Sequence, residues 1–175
     1  MKKLLALAVV ILGFTAVSFG QLSNKADATA SAKILTALTI DKKIDLDFGT
    51  LGAKTTATIA KMSTAGSRTG STTDLIATGV GAAAEFEIKG DKNSSFAITF
   101  PNTDTNLNSG ASPAMKILAT DWVSKIDGAA ESTLTTGSIA ASGVTVLKVG
   151  ATLQVAASQP AGSYSGPFSV TVNYN

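Results

Sequence analysis

The stretch that decides the fold is residues 168–174, which read FSVTVNY at the carboxyl end of the sequence. Its apolar and aromatic residues occupy every second position, with Ser, Thr and Asn between them. This two-residue period is typical of a β-strand with one buried face. Similar apolar runs recur upstream, at residues 44–48, 86–88, 96–100, 144–149 and 151–155. The sequence therefore predicts an all-β protein.

Clusters of Gly, Ser, Asn, Asp and Pro separate these runs, as at residues 63–73, 102–113 and 157–162. Such clusters mark turns between short strands. About eight to ten strands, each with one apolar face, predict an immunoglobulin-like antiparallel β-sandwich. The aromatic residues between the turns are expected to fill its core rather than to stack on a sugar: Phe86, Phe96, Phe100 and Trp122.

The composition argues against an enzyme. The chain has no His and no Cys, which excludes His-based acid–base catalysis, Cys/His metal sites and disulfides. Without Lys2 and Lys3, the 14 basic residues fall to 12 and equal the 12 acidic ones. A balanced charge does not favour nucleic-acid binding. We therefore expect no catalytic residue, no cofactor, no metal and no nucleic-acid partner.

The first twenty residues have the pattern of an export signal. A basic start is followed by the apolar residues 4–14, and the small residues Ser18 and Gly20 precede a cleavage site before Gln21. The apolar core is too short to span a bilayer. We expect residues 1–20 to be removed and the mature protein to be periplasmic, extracellular or on the cell surface, without stable membrane insertion.

The segment that follows alternates small apolar and polar residues. Its apolar positions are Ala28, Ala30, Ala32 and Ile34. A strand of this kind at a free terminus can add to the sheet edge of another subunit. It can equally be the first strand of its own sandwich, and both interpretations stay open. The predicted organisation is a signal peptide at 1–20, this segment at 21–36 and a sandwich domain at 37–175.

The mature sequence resembles a bacterial secreted family classed as a domain of unknown function. The matching motifs are ATASA at 28–32, LDFG at 46–49, residues 86–90, VGATL at 149–153, VAA at 155–157, AGSYSG at 161–166 and VTVNYN at 170–175. This resemblance covers nearly the whole mature chain and implies no function.

The two ends also resemble fimbrial subunits of the chaperone–usher type. The last strand carries alternating hydrophobic residues and a penultimate Tyr, and a Gly stands at the fourteenth position counted back from the end: Phe168, Val170, Val172, Tyr174 and Gly162. The resemblance implies an incomplete sandwich that a neighbour's N-terminal donor strand completes. It also implies that the C-terminal strand forms one wall of the acceptor groove and pairs with a periplasmic chaperone.

The resulting hypothesis is a secreted structural surface protein, a pilin-like subunit that assembles with identical or related subunits. The alternative is a monomeric secreted sandwich that binds a glycan or host surface through residues 63–73 and 102–113.

Overall fold

The computed structural model describes residues 24–52, 54–70 and 76–175, so the predicted signal peptide lies outside the described residues. Contacts divide the chain into two units, residues 1–33 and 34–175. Residues 24–33 of the first unit form no strand and are exposed.

The described part of the second unit contains twelve strands: β1 (Thr39–Ile44), β2 (Thr50–Gly52), β3 (Thr58–Met62), β4 (Arg68–Gly70), β5 (Ile76–Thr78), β6 (Ala84–Lys89), β7 (Ser95–Thr99), β8 (Thr105–Leu107), β9 (Met115–Ile126), β10 (Thr136–Ser138), β11 (Val144–Val155) and β12 (Thr171–Tyr174). Within the described ranges, no helix is long and apolar enough to cross a membrane.

The largest sheet is built around β11. One edge of this strand pairs with β9, and the other edge pairs first with β6 and then with β3. Strand β1 extends the sheet beyond β6, β4 extends it beyond β3, and β8 extends it beyond β9. All these pairings are antiparallel.

Gly150 stands where β11 changes partner. Val149 pairs with β6, and Ala151 pairs with β3. A Cβ atom on Gly150 would collide with the backbone carbonyl group of Met62. The two β-branched runs on either side of Gly150 thus form one continuous strand, and the glycine lets β3 approach it closely.

The fold is an all-β antiparallel sandwich, as predicted. A second sheet has the order β10-β7-β12, and β2 pairs with β5. The core contains Phe86 and Ile88 from β6 together with Phe96 and Ile98 from β7. Trp122 is only 1% exposed, so the prediction of a core role for this residue is confirmed. One face of each sheet packs against the other, and the side chains between them form the apolar core.

The predicted strand at residues 44–48 is wrong in its bounds. The strand there is β1, which ends at Ile44, and beyond it only Asp47 of this run pairs, in an isolated bridge with Ala82. The Asp47 carboxylate accepts a hydrogen bond from the Gly49 N–H at 2.7 Å, and the Phe48 carbonyl accepts one from Arg68. Gly49 has a φ of 66°, which favours glycine. Apart from this bridge, side-chain hydrogen bonds from Asp47 and Arg68 therefore hold the backbone here in place of the continuous strand that the apolar alternation predicted.

Glu131 ties the loop after β9 to the turn between β3 and β4. Its Oε2 atom accepts hydrogen bonds from the Thr64 N–H at 2.7 Å and from the Thr64 hydroxyl at 2.8 Å. The N–H donor lowers the pKa of Glu131 below its ordinary value. Because the folded state favours the carboxylate, this contact stabilises the protein above the unfolded-state pKa.

We expect Glu131→Gln to lower the free energy of unfolding by about 1.5 kcal/mol at pH 7, the lower end of the range for a hydrogen bond to a charged group. The difference from wild type should shrink as the pH falls below about 4, since the wild-type carboxylate is then protonated too. Urea denaturation across this pH range measures both effects. Asp127→Asn, which changes an exposed acid in the same loop, is the control. A difference that is the same at every pH would contradict this role of the carboxylate.

Candidate assembly groove

The predicted donor residues lie in an exposed part of the chain. Residues 24–37 are all exposed and form no strand, and the first strand begins at Thr39. Ile34 is 94% exposed, although isoleucine is among the residues most often buried. We name residues 26–36 the donor segment.

The C-terminal strand is shorter than predicted. Exposure alternates at every second residue from Tyr164 to Tyr174, but only Thr171–Tyr174 pairs, with β7. Residues 166–170 make no backbone hydrogen bond to any described residue. One reason is that β7 ends at Thr99 and is soon followed by Pro101, which has no N–H to donate. We name residues 164–170 the wall segment.

A groove of about 580 Å³ lies between β1 and the wall segment. Strand β1 pairs with β6 along one edge, and no described strand pairs with its other edge. The charged side chains of Lys42 and Asp45 line part of the groove. The rest is lined mainly by apolar side chains from β1, from the segment after it, from β6, from β8 and from the wall: Ile40, Ile44, Leu46, Ala84, Phe86, Leu107, Tyr164, Phe168 and Val170. Two unpaired backbone edges therefore border one apolar groove.

Strand β1 carries charged side chains on its outer face, and Lys42, which pairs with Asp45 at 2.8 Å, also lines the groove. Lys43 forms an ion pair with Glu87 at 3.1 Å, and Asp41 pairs with Lys89 at 3.9 Å. Lys89 lowers the pKa of Glu87. Ile44 lines the groove beside Ile40 and remains 44% exposed. An edge strand with an unpaired backbone and an exposed apolar side chain invites pairing with another strand.

Phe168 holds the wall segment in place. Its ring lies 4.8 Å from the ring of Trp122 and 6.2 Å from that of Phe86, the latter edge to face. These contacts anchor the wall beyond Ser165, whose backbone pairs with that of Asn108 in an isolated bridge, where residues 166–170 have no backbone partner among the described residues. They also fill the space beneath the middle of the groove with aromatic rings.

At the end near Tyr164, the groove adjoins a second cavity. This cavity, of about 450 Å³, shares Leu46, Leu107 and Tyr164 with the groove and continues towards Met115 and Leu153. We name the part lined by the three shared residues the deep end. The Tyr164 hydroxyl donates to the Pro160 carbonyl at 2.9 Å, which fixes its ring there. Gly162 lies in an exposed bend that borders this second cavity.

Tyr174 joins the C-terminal strand to the base of the donor segment. Its hydroxyl donates to the Thr36 carbonyl at 2.8 Å and accepts from the Asp91 N–H at 2.6 Å. Val172, two residues earlier, is half-buried against the core. The penultimate tyrosine therefore fixes the base of the donor segment at the end of the groove opposite Tyr164.

The sequence predicted Phe168 and Val170 as groove residues but not Ile40, Ile44, Leu46 or Leu107. The spacing of Ile40 and Ile44 before the LDFG motif was the available signal. This spacing indicates apolar side chains on β1 but does not show which part of the structure packs against them. Among the described residues, no group of three or more Asp, Glu, His or Cys side chains could hold a metal ion.

The loops of the alternative hypothesis are only partly described. Residues 71–73 lie outside the described ranges. Residues 102–106 border a polar cleft of about 590 Å³, together with Phe100 and Phe168. This cleft meets the groove at Phe168.

A family model described as "Domain of unknown function (DUF4402)" matches residues 38–174. The match begins one residue before β1 and ends at the last residue of β12, so it covers the sandwich and leaves out the whole donor segment. No curated protein and no solved structure matches the chain. The resemblance of the two ends to fimbrial subunits therefore stays a prediction.

Proposed function

We propose that this chain, which belongs to the DUF4402 family, is a secreted structural surface protein that polymerises. In this proposal, the donor segment of one subunit enters the groove of the next as an added strand. The observation that carries the proposal is the groove itself, an apolar channel between two backbone edges without strand partners in the described chain. A chain with such a groove and an exposed alternating segment has both halves of a strand-addition joint.

The energy of this joint comes from backbone hydrogen bonds and from apolar burial. An inserted strand can bond to β1 on one side and to residues 166–170 on the other. Each buried methyl group of the donor alanines contributes about 0.8 kcal/mol, and a fully buried Ile34 contributes about 1.5–3 kcal/mol. Insertion also covers Ile44, which is 44% exposed.

The proposal includes export by the N-terminal signal and assembly with identical or related subunits outside the cytoplasm. A periplasmic chaperone that covers the groove before assembly would suit an exposed apolar channel. These elements rest on the sequence pattern and on the resemblance to fimbrial subunits.

The test is electrophoresis of the native surface fraction in SDS, with and without boiling, together with negative-stain microscopy. We expect a ladder of bands that boiling collapses to the monomer, and thin fibres in the micrographs. A single monomer band in both lanes, without fibres, would refute strand-linked assembly.

Two lysine substitutions, one in the groove and one elsewhere on the surface, test whether the groove is the acceptor. Ile44→Lys places a charge in the groove at a half-exposed position and should abolish the ladder. Val80→Lys changes a side chain that is 90% exposed and lies outside the groove lining, so the ladder should persist. Equal ladders from the two variants would show that the groove is not the acceptor.

The polar cleft at residues 99–106 favours the second candidate, a monomeric module that binds a glycan. The cleft combines Asn and Thr side chains with Phe100, the combination that suits a sugar. A monomeric protein that binds a glycan array, with loss of binding in Asn102→Ala, would favour this function over polymerisation.

A further inference from the structure

We propose that the groove accepts the donor segment of a second copy in one direction only, antiparallel to the wall segment, with Ile34 at the deep end. This inference rests on the proposed function and specifies its partner and register. In this register Ala28 lies beside Val170, Ala30 beside Phe168 and Ile34 beside Tyr164.

The first step of the argument is the uneven depth of the groove. Beneath its middle, the rings of Phe168, Phe86 and Trp122 already fill the space between the sheets. A donor side chain above Phe168 must therefore be small. At the deep end, the groove adjoins the cavity of about 450 Å³ at Leu46, Leu107 and Tyr164, and among the described residues no aromatic cluster like that of Phe168 lies there, so a larger side chain fits best at this end.

The second step is the pattern of the donor segment. It presents three alanines at alternate positions and then one isoleucine. The inward positions of the wall have the same two-residue period: Tyr164, Gly166, Phe168 and Val170. The antiparallel direction places alanines over the aromatic rings and Ile34 at the deep end. The reverse direction places Ile34 beside Val170 and leaves only Ala28 to fill the deep end.

The third step excludes the chain's own groove. Tyr174 holds the Thr36 carbonyl at one end of the groove. Tyr164 lies ten residues earlier on the extended C-terminal segment, about 33 Å away at 3.3 Å per residue. Ile34 is two residues from Thr36 and reaches no more than about 7 Å from it. Its side chain can therefore occupy the deep end of a neighbour's groove but not that of its own.

Disulfide trapping in the full-length chain tests the direction. The chain has no Cys, so only the introduced cysteines can pair. In the proposed register, Thr29 lies directly opposite Ser169, whereas the reverse direction places Lys33 there. Both donor positions and Ser169 are exposed. A disulfide needs Cα atoms within about 7 Å, and a shift of four residues along a strand moves them about 13 Å apart.

We expect Thr29→Cys with Ser169→Cys to give a ladder that survives boiling and disappears with a thiol reductant. Lys33→Cys with Ser169→Cys should assemble equally well but give a ladder that boiling destroys. A boiling-resistant ladder from the Lys33 pair, or from neither pair, would overturn the proposed direction while the proposed function stands. If the Thr29 pair formed its disulfide within a single monomer, the donor segment would occupy its own groove, and the proposal that a second copy fills the groove would be wrong. Absence of any ladder from the wild-type chain would refute the proposed function and this inference with it.

Discussion

A chain that lacks residues 21–33 is expected to fold but to form no polymers. The remaining residues 34–175 form a separate compact unit with its own core and keep the hydrogen bond between Tyr174 and Thr36. The deletion removes the three donor alanines and leaves the groove unchanged. Light scattering should report a monomer, and circular dichroism should report unchanged β-structure.

A mixing experiment makes this prediction more specific. The truncated chain keeps a groove but has no donor segment, so it can end a polymer and cannot extend it. Adding it to the full-length chain should shorten the fibres in proportion to its share of the mixture. Replacing residues 26–33 with Gly and Ser at equal length is the control for chain length, and it should behave like the deletion. Polymers formed by the truncated chain alone would contradict donor-strand assembly.

Much of the fold could be predicted because its strands alternate in burial. The runs at 86–88 and 96–100 became β6 and β7, each with apolar residues facing the core. The prediction for 44–48 was wrong in its bounds because β1 ends at Ile44 and only Asp47 of this run pairs beyond it. The backbone there is bonded by Arg68, which donates to the Phe48 carbonyl from twenty residues away. A contact of this kind is not visible in a local period.

The groove was harder to predict than the strands. The alternation at 168–174 showed correctly which side chains face inward, but not that residues 166–170 lack a described backbone partner. Pairing depends on where the neighbouring strand ends, and β7 ends at Thr99. The depth of the groove depends on how Phe168 packs against Trp122, which lies 46 residues earlier in the sequence. The unpaired backbone and the depth of the groove both depend on packing between residues that lie far apart in the sequence.

Gly150→Ala is expected to destabilise the protein strongly, although sequence pattern alone predicts the opposite. Gly150 separates two β-branched runs, and glycine weakens a strand interior, so alanine or valine should strengthen β11. In the structure, however, a Cβ at this position meets the backbone of Met62 and Ser63. The backbone of β3 cannot move away without losing its pairing with β11.

We expect a loss of about 3 kcal/mol in the free energy of unfolding, the upper part of the range for an overpacked interior, and a larger loss for Gly150→Val. Gly128→Ala is the matched control, because Gly128 has a φ of 79° but no atom near its Cβ position. That control should cost only about 1–2 kcal/mol of backbone strain. Denaturant titration compares the two variants. A Gly150→Ala protein as stable as wild type would show that β3 does not lie against β11 at this point, and that strand propensity decides the stability here.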